Sequence, residues 1–264
     1  MFDLDAYLRR IGLAGRPGIR EVHRAHVTSI PFENLDPHRG VAVSLDRDAI
    51  ARKIVGEGRG GYCFEQNLLL KAALEALGWE VELYLARVRY NAGGVVRPRS
   101  HLVLRASSEG EVLHADVGFG LASLFDPLPW GPGEEHEQLG WRFRLVDEGE
   151  ELVLQTVEEE GWIDVYGFPP RAVPFIDVET SNWWVSTHPN SPFVTGLMAS
   201  IQNDDGRRTS LRDWSGLALT EQTPGGKTMT EIDRGDVPGL LASRFGLSGF
   251  ELDSGDRIVL AEES

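Results

Sequence analysis

Arg59-Gly60-Gly61-Tyr62-Cys63-Phe64-Glu65-Gln66-Asn67 holds the only cysteine of a 264-residue chain. Two glycines let the backbone turn tightly and admit a close neighbour. An apolar-periodic run follows through Leu70, Ala73, Leu74 and Leu77 and stops at Gly78, so a helix is expected to begin at or beside Cys63. A thiol there feels the positive end of the helix dipole, which favours the thiolate. The free N–H groups of the first turn point outward, ready for a developing oxyanion. A lone cysteine is more often a small, inert core residue. The glycine pair, the aromatic neighbours and the helix start set a nucleophile against that bland reading.

Working outward, the first 80 residues read as helical. Leu4, Tyr7, Leu8 and Ile11 share one face, as the 3.6-residue period requires. A second stretch carries Ile19, Val22, His23 and His26 and stops before Pro31; a third carries Ile50, Ile54 and Val55. From Glu80 the period changes to two, with Val81, Leu83 and Leu85 alternating with Glu80, Glu82 and Tyr84. Short strands are expected at 102–105, 111–117, 141–145, 152–156 and 162–165, separated by turn-rich pieces, a pattern that closes into a barrel. Leu128 to Glu135 reads as a long surface loop. A short helix is expected over 178–187. Strand-like pieces at 216–221 and 228–232 and a helix at 237–245 make a small α/β end. The fold class is α+β, in three parts: 1–80, 81–180 and 181–264.

Composition narrows the function. Asp and Glu number 41 against 26 Lys and Arg, a net charge of −15, so the chain is a poor candidate for nucleic-acid binding, which relies on basic surface. No apolar run of the length a bilayer needs exists, and MFDLDAYLRR lacks the layout of a signal peptide. The expected location is cytoplasmic, with no membrane partner. One cysteine excludes an intramolecular disulfide and a cysteine-rich zinc site, so no metal is expected. No oligomeric state follows from the sequence.

A thiolate nucleophile wants a histidine base, itself oriented by a carboxylate. Of seven histidines, His23 and His26 lie within a helix and read as core or surface residues. His38, His136 and His188 sit in loop-like sequence. His101 and His114 lie on a strand pair. Strands at 101–106 and 111–116, joined by Ser107-Ser108-Glu109-Gly110, form a hairpin with a loop of common length. If Ala106 pairs with Glu111, His101 lies directly opposite Asp116, with Cβ atoms ~4.5–5.5 Å apart. His114 has no such partner. A cross-strand surface pair is the plain alternative; together with Cys63, a Cys63–His101–Asp116 triad is the fuller account.

These residues resemble the arylamine N-acetyltransferase family. Arg59 to Asn67 looks like its nucleophile motif, Ile30-Pro31-Phe32-Glu33-Asn34-Leu35 like its N-terminal motif, and Asp116-Val117-Gly118-Phe119-Gly120 like its aspartate loop. Ser186-Thr187-His188-Pro189 with Ser191-Pro192-Phe193 resembles the opening of its third domain. The resemblance implies a helical bundle over 1–80 carrying the nucleophile, a β-barrel over 81–180 carrying His101 and Asp116, and an α/β lid over 181–264, around a papain-like core. It implies ping-pong acetyl transfer from acetyl-CoA, through an acetyl-cysteine thioester, to a small aromatic amine or hydrazine. Cys63 would be the nucleophile, His101 the base and then the acid, and Asp116 the group that orients His101. Phe32, Phe119 and Phe193 match positions that line the acceptor pocket, with plain core packing as the alternative. Gly118 and Gly120 match positions beside the coenzyme A thioester.

Arg59 and Glu33, within two of these motifs, are expected to pair as a structural link. Arg87, Arg89, Arg97 and Arg99 flank His101 and read first as a solvated face, second as charge for the CoA phosphates. Trp183-Trp184 reads as packing. Gln66 stands where some relatives carry His, nearly one turn beyond Cys63. An amide synthase of the same fold, acting on an aromatic-amine polyketide chain, fits the same triad, as does a hydrolase or transglutaminase-like enzyme. A catalytically silent binding protein is the reading from a different class.

Overall fold

The structure, a computed structural model, describes residues 2–159, 161–214 and 216–261. Helices α1 (Leu4–Arg10) and α2 (Ile19–Ser29) open the chain, followed by strand β1 (Phe32–Glu33) and helices α3 (Leu35–His38), α4 (Arg47–Ala51) and α5 (Cys63–Ala76). On α2 the buried residues Ile19, Val22, His23, His26 and Val27 make one stripe, the amphipathic pattern of a helix laid on a core. Helix α5 begins at Cys63 itself. Glu65 folds back to accept from the Tyr62 N–H at 3.1 Å, satisfying one donor at the helix entrance. Ten of its fourteen residues are buried, because it runs through the core against β2 (Glu80–Val88) and β3 (Arg99–Ser108).

Those two strands belong to an eight-stranded antiparallel sheet, nearly closed and barrel-like. It adds β4 (Glu111–Ala115), β5 (Leu128–Pro129), β6 (His136–Gln138), β7 (Trp141–Asp147), β8 (Leu152–Glu158) and β9 (Gly161–Phe168). Helices α6 (Phe175–Thr187) and α7 (Pro192–Thr195) lead to the second sheet: β10 (Met198–Gln202), β11 (Arg208–Arg212), β12 (Ala218–Thr223) and β13 (Gly226–Glu231). Helix α8 (Val237–Phe245) and the hairpin of β14 (Phe250–Leu252) and β15 (Ile258–Leu260) finish the described fold. Strand β1 pairs with β10, Phe32 against Ser200, so the N-terminal segment edges the last sheet.

The second sheet shows the period of two. Leu197, Ala199 and Leu211 enter a small core with Leu241 and Phe245 of α8. The opposite face carries buried Ser200, Gln202, Arg208, Ser210 and Thr220. It holds the segment after β4: Gln202 Nε2 donates to the Gly120 carbonyl at 2.6 Å and Arg208 Nη2 to the Ser123 carbonyl at 3.3 Å.

The hairpin register differs from the expected one. Ser108 pairs with Glu111 and Leu104 with Ala115, so the loop is two residues, Glu109 and Gly110, not four. Both have positive φ, 50° and 87°, the twist-matched hairpin turn that glycine favours. The pairing therefore slips by two residues from Ala106–Glu111, and His101 is not directly opposite Asp116. An even slip keeps every side chain on its face, so the two remain on one side of the sheet, offset diagonally.

Candidate active site

The site forms where α5, β3 and the end of β4 converge. Cys63 is 3% exposed, His101 3% and Asp116 1%. His101 Nε2 lies 2.7 Å from Asp116 Oδ2, which leaves Nδ1 for the Cys63 sulfur beside it. The Cys63 thiol also reaches the Ser100 carbonyl at 3.6 Å. The structure thus brings together all three residues picked out in the sequence.

Asp116 is held by more than His101. Its Oδ1 accepts from Asn67 Nδ2 and from the Gly118 N–H, each at 2.9 Å, and the Tyr166 hydroxyl, 2.7 Å from His114 Nε2, lies near it. Burial works to raise its carboxyl, but His101, Asn67 and Gly118 hold it well below the usual carboxylate range. Burial likewise works to lower the His101 pKa, yet the charge and hydrogen bond of Asp116, together with Cys63, push it up to about 10. At neutral pH the ring is therefore an imidazolium, the partner that favours a thiolate next to it.

Gly118 has a steric reason. A Cβ there would lie 2.7 Å from Cys63 Cα and 2.8 Å from Asn67 Nδ2, so only glycine lets the aspartate loop close over the start of α5. Gly60 is similar, since its Cβ would meet the Pro31 carbonyl oxygen at 2.1 Å.

The three phenylalanines lie on two sides of the site. Phe119 stands edge-on to His101, ring centroids 5.3 Å apart. Phe32 and Phe193 pair at 5.9 Å, and the Phe32 ring meets Gly120, whose Cβ position is 3.1 Å away. Arg59 donates to Glu33 Oε1 from Nε at 3.1 Å and Nη2 at 2.7 Å, and to Asp36 at 2.9 Å. Lys53 completes this group, 2.8 Å from both Asp36 and Glu65. Burial pushes the Glu65 carboxyl up to about 7, with Lys53 opposing and Glu33 adding to the rise. Arg89 is committed to Glu148, Glu151 and Asp164.

Trp183 corrects the packing expectation: it is 62% exposed, because it falls on the outer face of α6, while Trp184 packs on the core and stacks on His188. The sequence also passed over His23, Asn67 and Tyr166. Asn67 had a signal, four residues after Cys63 on the same helix face. Tyr166 had none, since it comes from β9, with two strands between it and β4 across the sheet.

A cavity of about 1170 Å³ opens between the eight-stranded sheet and the β12–β13 hairpin, lined by Arg87, Tyr90, Arg97, Trp141, Trp162 and Lys227 among others. Tyr90 meets Phe119 at 6.1 Å, which links the cavity wall to His101. Among the described residues no group of His, Cys, Asp and Glu is placed to hold a metal, and no helix is long and apolar enough to cross a membrane.

A family model for N-acetyltransferases matches residues 17–251. The arylamine N-acetyltransferase of Mycolicibacterium smegmatis is 40% identical over 216 residues, 78% of this chain and 78% of that protein. That of Mycobacterium bovis is 35% identical over 271 residues, 98% of this chain and 93% of that protein. The solved structure of Mycobacterium marinum arylamine N-acetyltransferase in complex with CoA matches with a TM-score of 0.87 and 36% identity, covering 93% of both chains. A match that runs through every element around Cys63, at this identity and coverage, places the chain in the arylamine N-acetyltransferase family, as an acyltransferase enzyme.

Proposed function

We propose that this enzyme acetylates small aromatic amines and hydrazines from acetyl-CoA by a ping-pong route through an acetyl-Cys63 thioester. The observation that carries the reading is the contact between Cys63 and a His101 ring whose other nitrogen lies 2.7 Å from a buried Asp116. The Cys63 thiolate attacks the acetyl carbonyl, and first-turn amides of α5 stabilise the oxyanion. The C–S bond to coenzyme A breaks and His101 protonates the departing thiolate. A neutral amine then attacks the thioester, His101 takes its proton, and Cys63 leaves as thiolate. Exchange of one thioester for another is nearly balanced in energy, so binding and orientation decide the rate.

Phe119, Phe32 and Phe193 supply apolar walls for a planar acceptor and exclude water from the thioester. The donor's thioester passes Gly118 and Gly120. Its anionic end lies in the large cavity, where Arg87, Arg97 and Lys227 form no ion pair among the described residues. A free reactive thiol and a coenzyme A donor suit a reducing cytoplasm.

Intact-protein mass spectrometry after acetyl-CoA, with Cys63→Ala as control, tests the route. One acetyl adduct on the wild type alone, discharged by an arylamine, is expected. No adduct, or an adduct retained by Cys63→Ala, overturns the proposal.

A further inference from the structure

The β3–β4 ladder ends at the Leu104–Ala115 pair, one residue before Asp116. The Asp116 N–H therefore has no strand partner. Its acceptor is a side chain from a distant helix: His23 Nε2 on α2, at 3.2 Å. The other ring nitrogen, Nδ1, lies 3.0 Å from the Phe125 carbonyl oxygen. His23 is 0% exposed, so these bonds have no solvent to replace them.

The partners dictate the proton. A main-chain N–H only donates, so Nε2 must be bare. A carbonyl only accepts, so Nδ1 must carry the hydrogen. One species meets both demands, the neutral Nδ1–H tautomer. A charged ring would turn Nε2–H against the Asp116 N–H. His26, one turn along the same helix, makes no such demand. Its Nε2 faces Gln66 Oε1 at 2.6 Å and its Nδ1 the Tyr7 hydroxyl at 2.8 Å, and a hydroxyl can donate or accept.

We propose that His23 is a positioning residue for acetyl transfer: as the neutral Nδ1–H tautomer it replaces the missing ladder bond and aims the Asp116 carboxylate at His101. The inference rests on the triad reading above. Asp116 leaves the ladder just where its carboxylate must turn back across the sheet to His101, and a loosened main chain there misaligns the imidazole with Cys63. Protonation of His23 releases Asp116, so acid disables the site through a group that touches no substrate. The charged and titratable groups around the ring are Asp116, Asp126, His26 and His114. Burial lowers the His23 pKa, against the hydrogen bonds of Phe125 and Asp116 and the charges of Asp126 and Asp116.

Two variants separate positioning from bulk. His23→Gln keeps an acceptor for the Asp116 N–H and cannot titrate; His23→Asn keeps the donor to Phe125 and loses the acceptor. With acetyl-CoA and a simple arylamine, His23→Gln is expected to hold kcat within about threefold of wild type, and His23→Asn to lose about 10²-fold, the cost of misplaced reacting groups. KM for the amine stays unchanged in both, and the acid limb of the kcat profile moves to lower pH in His23→Gln. Equal impairment of the two variants, or full activity in His23→Asn, overturns the proposal. Long-range 1H–15N NMR of the wild type gives a second readout free of folding effects: a neutral Nδ1–H ring at pH 7 is expected, and an Nε2–H or charged ring overturns it. Failure of the triad reading looks different, since wild type would then take up no acetyl on Cys63.

Discussion

Of Cys63, His101 and Asp116, Asp116 is held by the most hydrogen bonds. Its two oxygens take His101, Asn67 and the Gly118 N–H, all donors. Asp116→Asn puts an amide NH₂ where a donor already points and removes the charge that keeps His101 protonated. Acetylation of an arylamine by Asp116→Asn is expected to fall by about 10³–10⁴-fold, with a lower melting temperature because the buried pair with His101 is broken; near-normal turnover would remove Asp116 from the mechanism. Gly118→Ala tests the close approach. Its Cβ would press on Cys63 Cα at 2.7 Å, a backbone atom at a helix start with nowhere to retreat. A destabilisation of about 1–3 kcal/mol, the usual cost of overpacking, is expected in urea titration, together with slower acetylation of Cys63.

Helix α5 owes its fixed entrance to neighbouring elements. Glu65 caps the Tyr62 N–H, Lys53 from the turn after α4 reaches Glu65, and Arg59 ties the approach to β1 and α3 through Glu33 and Asp36. Glu33 is fully buried, so its charge needs a guanidinium that can donate twice. Arg59→Lys keeps the charge and loses the fork. It is expected to destabilise the protein by about 1.5–3 kcal/mol, the worth of a charged hydrogen bond; an unchanged denaturation midpoint would show that Lys53 alone suffices. The β3–β4 hairpin teaches a related lesson about elements. Strand positions, and the face shared by His101 and Asp116, were legible in the alternation of residues. The pairing was not, because two positive-φ residues at 109 and 110 close the turn tighter than a four-residue loop, and turn geometry sets register.

For the whole molecule, buried ionisable groups set the dependence of stability on pH. Burial lowers the pKa of His23, of His26 to about 3 and of His114 to about 4. Each gains a proton on unfolding below about pH 6.5, so the stability they confer is present above that pH and is lost as pH falls. Glu65, raised to about 7, acts in the opposite sense between about 4.5 and 7. The buried histidines, with His38 lowered in the same sense, outnumber Glu65, so stability is expected to fall as pH drops from about 6 to 5. His101 is raised to about 10, so its contribution is complete below about 6.5 and is lost as pH rises through 10. Stability by chemical denaturation is expected to peak near pH 6.5, and His101→Gln to flatten the alkaline limb. A peak above pH 9 would contradict the charged state of His101.

The sequence by itself determined the helix that starts at Cys63, the strand face shared by His101 and Asp116, the family, and the tight turn of the glycine pair at 60 and 61. Each is a local matter: periodicity, glycine and short motifs record what the chain must do within a few residues. Only the tertiary structure decided the diagonal offset of His101 and Asp116, the exposure of Trp183, the need for glycine at 118, and the bond from the Asp116 N–H to His23. Those contacts join residues separated by as many as 93 positions. A lone histidine on an apolar helix face looks the same in sequence whether it fills space or holds a catalytic main chain, because the difference lies in which buried donor or acceptor folding brings to each ring nitrogen.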